Sequence, residues 1–434
     1  MKSVWTQSVK MREFDALSGD IKADVTVVGG GLAGILTAFF LSKSGVDVVL
    51  LEAKKIGGGI TADTTAKITS QHGLCYFKMA KRFGYEFAEK YLYANEEAIG
   101  VYRKLCENID CDFENQNSFV YSIANEENLK KELHVLSKLG FNAEFVKAPY
   151  LPFKVAGSVK FPHQAQFNPL KFINGISKNL RIYENSMVRE IKGNCAVTKS
   201  GRVFSKKIVV ATHFPFLNSH GSYFLKLYQQ RSYVLALENT DFEGGMYIGD
   251  EENSLSFRGY KNLLLLGGGG HRTGKKGESY HALEKAKNEF YPKSREVTRF
   301  STQDCMTLDG VPYIGHYSKN TPNLFVATGF NKWGMTSSMV AARLLSDLIL
   351  EKENPYKEIF SPSRSILRPQ LFINGAESVT NLLTPTVPRC PHLGCALKYN
   401  KQEHSWDCPC HGSRFNENGK LIDNPSLKNI KPPR

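Results

Sequence analysis

The sequence predicts an α/β (α+β) protein in two parts: a Rossmann-like dinucleotide-binding domain interleaved with an antiparallel-sheet substrate domain, then a small all-β module at the C-terminal end. Three observations carry this. Asp24-Val-Thr-Val-Val leads into G-x-G-x-x-G at Gly29, Gly31 and Gly34, followed by an apolar helical pattern to about Ser44 and a second strand ending on Glu52. The stretch from Ser232 to Gly270 is rich in strand-like runs such as Tyr233-Val-Leu-Ala-Leu-Glu and Leu263-Leu-Leu-Leu. Finally, four of the nine cysteines and three of the eleven histidines fall between Cys390 and Ser413.

At 434 residues the chain has room for two or three domains. No run of about eighteen apolar residues occurs, so no transmembrane segment is expected. Residues 1–20 lack the apolar core of a signal peptide, which makes the expected location cytoplasmic. Cys75, Cys106, Cys111, Cys195 and Cys305 are scattered and read as reduced thiols. The formal charge is +14, with lysines spread along the chain and no arginine-rich tract. That distribution reads first as a generally basic surface. Of its functional readings (an acidic electron-carrier protein, an anionic membrane surface or nucleic acid), docking of an acidic electron carrier is the best use, and no nucleic-acid module is present.

In the first βαβ unit, Gly29 allows the tight turn, Gly31 lets backbone approach a pyrophosphate, and Gly34 lets the helix pack on the strand. Leu32 and Ala33 open the helix, whose free N–H groups face the phosphates. Glu52 suits ribose hydroxyls and would repel a 2′-phosphate. A glycine- and hydroxyl-rich segment follows, carrying Thr61, Thr65 and Lys67. Far downstream come Thr307–Gly315 with Gly310, then Gly329 and the loop Gly334-Met335-Thr336 ahead of a long helix.

Together these motifs resemble the D-amino-acid oxidase, glycine oxidase and sarcosine oxidase family of FAD enzymes, over roughly residues 23–353. The resemblance implies FAD, with its adenine end at the first glycines and its ring against Thr61–Lys67 and Gly329–Thr336. It also implies Val188 beside the adenine and Ala211-Thr212 near the pyrophosphate, where Ile208–His213 returns to the sheet. A reduced flavin gathers negative charge that the start of the helix at Thr336 would favour.

Between the two ends, Tyr76 to about Gly140 reads as helical. Gly269-x4-Gly274-Lys275-Lys276 nearly makes a phosphate-binding P-loop, but Lys276 stands where Ser or Thr must ligate Mg2+. Instead, Gly267–Gly270 is expected to bring a strand close to the flavin. His271 is then a candidate base and Arg272 a candidate clamp for a substrate carboxylate; each also has a plain structural reading. His72 and Lys332 are further candidates near the ring. Cys305 reads as a packed thiol rather than a covalent flavin link.

The expected division gives residues 1–362 to the flavin-dependent domain. Its cofactor-binding parts are 20–75, 160–215 and 300–362, and its roof parts 76–160 and 216–300. Residues 363–383 form a linker with a short helical piece around Leu371–Asn381, and 384–434 the terminal module.

In that module Cys390-x-His392 and Cys408-x2-His411 each pair a thiolate with an imidazole, the ligand set of a [2Fe–2S] cluster held by two cysteines and two histidines. A structural zinc site is the competing reading, although zinc rarely uses C-x-H. C-P-H-L-G-C and C-P-C-H-G-S resemble the Rieske signature, which also implies a disulfide between Cys395 and Cys410. Two departures stand out. Too little chain precedes the first loop for a full Rieske sheet, so the base is abbreviated or borrowed. Phe415 replaces a tyrosine that donates to the cluster in high-potential relatives, which lowers the expected potential.

The expected function is an FAD-dependent dehydrogenase for an amine or amino acid, passing electrons singly through the cluster to an external acceptor. The alternative is an electron-transfer or redox-sensing protein without small-molecule turnover. A roof of about two hundred residues favours turnover.

Overall fold

The computed structural model describes residues 2–148, 150–385 and 388–431. At its centre Ile21–Val28 pairs in parallel with Val48–Leu51 on one side and Arg202–Val210 on the other. Arg181–Tyr183 extends the first side, Leu324–Thr328 the second, and Tyr313–His316 closes that edge antiparallel. Every residue of Val48–Leu51 is buried, as a continuous apolar run in a sheet covered on both faces should be. The helix Leu32–Lys43 packs beside Gly334–Ile349. Its approach is set by one residue: a Cβ on Gly34 would stand 1.9 Å from the carbonyl oxygen of Gly29.

The second sheet has nine strands. Eight run in the order Arg295–Thr307, Leu227–Glu238, Leu263–Arg272, Ser256–Tyr260, Met246–Gly249, Glu114–Ser122, Gly157–Gln166, Lys67–Ile68, and Glu144–Val146 pairs with Gly157–Gln166. Two expectations change here. Residues 76–140 are not helical throughout: the helices Tyr76–Phe83, Tyr85–Cys106 and Glu126–Lys138 are interrupted by the strand Glu114–Ser122. Its first four residues are polar, which hides the strand locally, and its partner Gly157–Gln166 lies far along the chain. The boundaries at 160 and 300 also fall inside strands, because both belong to long members of this sheet.

The terminal module is a four-stranded antiparallel sheet, Lys398–Asn400, Ser405–Asp407, Arg414–Asn416 and Leu421–Asp423. Among the described residues none of its strands pairs with the other sheets, so its base is abbreviated rather than borrowed. The expected linker is mostly a fifteen-residue helix, Pro369–Leu383, longer than the short piece expected there.

Candidate functional site

A cavity of about 1840 Å3 lies between the two large sheets and is closed on one side by the terminal module. Gly29, Gly31, Leu32, Ala33 and Glu52 line one end of it, with Val188, Ala211 and Thr212. The carboxylate of Glu52 accepts from the N–H groups of Gly30 and Lys54, both at 2.7 Å. No side chain caps the helix at Gly31. The N–H of Leu32 is bonded to Thr61 Oγ1 at 3.2 Å, while among the described residues those of Ala33 and Gly34 have no side-chain partner, which leaves the helix start for an anion. Gly34 sits behind this wall rather than in it.

Thr65, Lys67, Gly329, Gly334 and Met335 line the other end, with His271 and Arg272, whereas Thr61, expected beside the ring, lies at the helix start against Leu32. Lys67 is buried and donates to the carbonyl of Tyr247 at 3.2 Å. Burial, then the charge of Arg258, pulls its ammonium down to about 7. Asp63, which nothing in the sequence singles out, also lines the cavity; burial and then Asp423 push its carboxyl up to about 7. Thr336 lies behind the wall, donating to the carbonyl of Thr69 at 3.0 Å. Gly310 lines a neighbouring cavity of about 480 Å3. His72 is held by Tyr91 and Thr69 and stacks on Trp333, and burial keeps it neutral.

The two catalytic candidates are engaged by protein. His271 Nδ1 lies 3.0 Å from the carbonyl of Arg272, while its Nε2 lies 3.0 Å from Tyr233 Oη and 3.2 Å from Ser279 Oγ. Donation from Nδ1 leaves Nε2 to accept from the hydroxyls. Arg272 is partly engaged, with its Nη2 buried and without a partner among the described residues. Its guanidinium lies over the Tyr228 ring and donates to Asn374 Oδ1 at 3.0 Å and to the carbonyl of Pro409. Cys305 is buried with its thiol pushed up to about 12 by burial, as a packed thiol should be.

The cysteine–histidine motifs form two equivalent loops. Both hexapeptides read Cys-Pro-x-x-Gly-x, and both close the same way. The N–H of Gly394 donates to the carbonyl of Cys390 and that of Gly412 to Cys408, each at 2.9 Å; the N–H of Cys390 donates to Cys395 and that of Cys408 to Ser413, also at 2.9 Å. The turns need φ of +80° at Gly394 and +81° at Gly412, which only glycine adopts freely. Cys395 and Cys410 are joined across the loops.

These residues fit a cluster bound through two thiolates and two imidazoles. The Nδ1 atoms of His392 and His411 are buried and have no partner. Burial holds His392 down to about 4 and His411 to about 3, so both rings are in the neutral, ligating form. A hydrogen bond from the Cys408 side chain pulls Cys390 towards the thiolate. Ser413 Oγ accepts from the N–H of Ser426 at 2.9 Å, which leaves its proton free to donate inward. Phe415 is fully buried beside it.

The module docks through its histidine side. His392 Nε2 lies 2.9 Å from Asn218 Oδ1. The His411 ring is edge-on to Phe214 and Phe224, with centroids 6.1 and 6.3 Å away. Gln229 donates to the carbonyl of His411 and Gln303 to that of Gly412, both at 2.8 Å. Gly274, the last glycine of the near P-loop, takes a different role: a Cβ there would meet Pro409 at 2.8 Å. Buried Arg231 pairs with buried Glu403, which also pairs with Arg414. Burial alone would raise Glu403, but the two guanidinium groups outweigh it and hold the carboxyl at about 2. Asn424 donates to the carbonyls of Thr212 and Phe214, so the C-terminal strand and tail cover the nucleotide end. None of Asn218, Gln229, Gln303, Arg231 or Glu403 carries a local signal in the sequence.

The family model for FAD dependent oxidoreductases matches residues 24–348, three quarters of the chain. The chain belongs to this family. A Rieske [2Fe-2S] domain model matches residues 380–434. YhfW of Bacillus subtilis (strain 168), described as a Rieske 2Fe-2S iron-sulfur protein, is 35% identical over 99% of this chain and 97% of its own length. Gamma-glutamylputrescine oxidoreductase of Escherichia coli (strain K12) is 24% identical over 78% of this chain and 86% of its own. Glycine oxidase from Geobacillus kaustophilus shares the fold, with a TM-score of 0.67 and 19% identity over 80% of this chain and 99% of its own. This FAD-dependent oxidoreductase therefore carries a Rieske-type [2Fe–2S] domain and takes both cofactors, and the zinc reading falls away. Among the described residues no helix is long and apolar enough to cross a membrane.

Proposed function

We propose that the protein is a cytoplasmic dehydrogenase that oxidises an amine or amino acid and passes the electrons singly, by way of its Rieske centre, to an external acceptor. When bound, FAD supplies two-electron acceptance from a C–H bond and the cluster supplies one-electron exchange. The observation that carries the reading is the direction of docking. The histidine side of the cluster loops faces Asn218, Phe214 and Phe224, and the loops hang from Gln229 and Gln303 on the strands that wall the cavity. Redox partners joined this way are built to exchange electrons within one chain.

In this reading Gly29, Gly31, the helix start at Leu32-Ala33 and Glu52 hold the dinucleotide, with Val188, Ala211 and Thr212 around it. Thr61, bonded to Leu32, joins them at the helix start, and Thr65, Gly329, Gly334 and Met335 hold the ring. Cys390, His392, Cys408 and His411 are the cluster ligands, and the Cys395–Cys410 bond braces their loops. Lys67 Nζ and the Asp63 carboxyl can each hold or release a proton near neutral pH. Arg231, Glu403 and Arg414 form a buried ion-pair network that ties the module to the domain. Gamma-glutamylputrescine oxidoreductase and glycine oxidase as relatives support an amine or amino-acid substrate class.

Anaerobic titration with a panel of amines and amino acids tests the proposal. At least one should bleach the flavin absorbance and bring up the EPR signal of the reduced cluster. Failure of every compound to bleach the flavin would favour a carrier without turnover.

A further inference from the structure

The helix Pro369–Leu383 is turned inside out. Its buried residues are Asn374 and Asn381. Asn374 Oδ1 accepts from Arg272 at 3.0 Å, and the carbonyl of Asn381 accepts from the N–H of Ala396 in the first cluster loop at 2.9 Å. Its carboxylate, Glu377, turns aside to Lys275 at 2.7 Å. The polar side is thus spent on the protein. The apolar side faces outward: Phe372 is 72% exposed and Leu383 77%, and Ile373, Val379 and Leu382 share the stripe, with Leu367 just ahead of the helix. Single exposed apolar residues are ordinary, but a continuous stripe on one helix marks a surface that something covers.

The charges around it say what. Arg82 and Arg389 are exposed and Arg368 partly so. Arg368 lies over the Phe83 ring, close to Arg82, and Arg389 donates to the carbonyls of Leu382 and Thr384 at the end of the helix. A second copy of the chain would set these guanidinium groups against their own images. A layer of anionic headgroups would neutralise them while the apolar stripe enters the acyl boundary. We propose that Pro369–Leu383 is an in-plane anchor that seats the protein, next to its cluster loops, on an anionic lipid surface. This does not depend on which substrate the flavin site takes.

Co-sedimentation of the full-length holoprotein with vesicles tests it. The protein should pellet with phosphatidylcholine–phosphatidylglycerol vesicles and stay in solution with phosphatidylcholine alone, and salt should weaken binding. The double variant F372S/L383S should bind about tenfold more weakly or worse, with flavin and cluster absorbance retained as proof of folding. Phe204→Ser, at an exposed aromatic on the strand Arg202–Val210, should leave binding unchanged. Equal binding by wild type and F372S/L383S would overturn the proposal, and so would no binding to either vesicle. A wild-type dimer that F372S/L383S converts to a monomer, without vesicle binding, would assign the face to self-association and overturn it too.

Discussion

The two cluster loops and the surface that holds them are built by opposite means. Each loop is closed by hydrogen bonds between residues four or five apart, with one glycine at positive φ. The docking surface is assembled from Asn218, Gln229, Arg231 and Gln303, each more than a hundred residues from its partner in the module. The first is a local code repeated twice; the second exists only after two sheets have folded and met. Because the loops themselves carry contacts to Asn218, Gln229 and Gln303, a ligand is best removed without disturbing the loop backbone, whereas the Arg231–Glu403 contact can be loosened without touching a ligand.

The largest effect should come from the loops. Cys408→Ser removes a thiolate from the cluster site, and the iron content and the EPR signal of the reduced cluster should vanish while flavin absorbance stays. Retention of a normal cluster signal would remove Cys408 from the ligand set.

Next is the docking charge. Glu403→Gln leaves Arg231 buried without its carboxylate, at a cost of about 3–5 kcal/mol. Denaturant unfolding should show the module's transition moving ahead of the flavin domain's, with the cluster still assembled. The same pair sets an acid limit. Glu403 titrates at about 2 instead of the ordinary 4.5, so its stabilisation is complete above 4.5 and is lost as the pH falls towards 2. In Glu403→Gln that acid-dependent loss should shrink; an unchanged acid profile would discount the ion pair.

Smaller is Gly412→Ala, which forces φ of +81° on alanine and sets a Cβ 2.8 Å from Gln229. A loss of about 1–3 kcal/mol is expected, read as a lower melting temperature. Lys67→Met should abolish a spectral transition of the bound flavin near pH 7, where Lys67 changes charge; persistence of that transition would assign it elsewhere. The smallest change is Phe415→Tyr, which adds a donor beside the cluster and should raise its midpoint potential in a redox titration.

What the sequence disclosed follows the same divide. The glycines at 29, 31 and 34, the acid at 52 and the C-P-x-x-G-x loops are short-range patterns whose spacing is their geometry, so the fold class and the presence of a Rieske domain were readable. The partners of Arg272 were not legible, because its neighbours in the chain say nothing of Asn374 or Pro409, which arrive from the helix and the cluster loop. The strand Glu114–Ser122 escaped notice because its polar half is rescued by pairing, not by propensity. Glu403 carries no local signal, and only its burial against Arg231 gives it a role.

The central claim is that the flavin site and the Rieske centre exchange electrons within one chain. Freeze-quench EPR on dilute protein, after anaerobic mixing with a compound that bleaches the flavin, tests it most directly. The account predicts that the signal of the reduced cluster appears at a rate independent of protein concentration. A cluster that stays oxidised while the flavin remains bleached, or one reduced at a rate proportional to protein concentration, would contradict it.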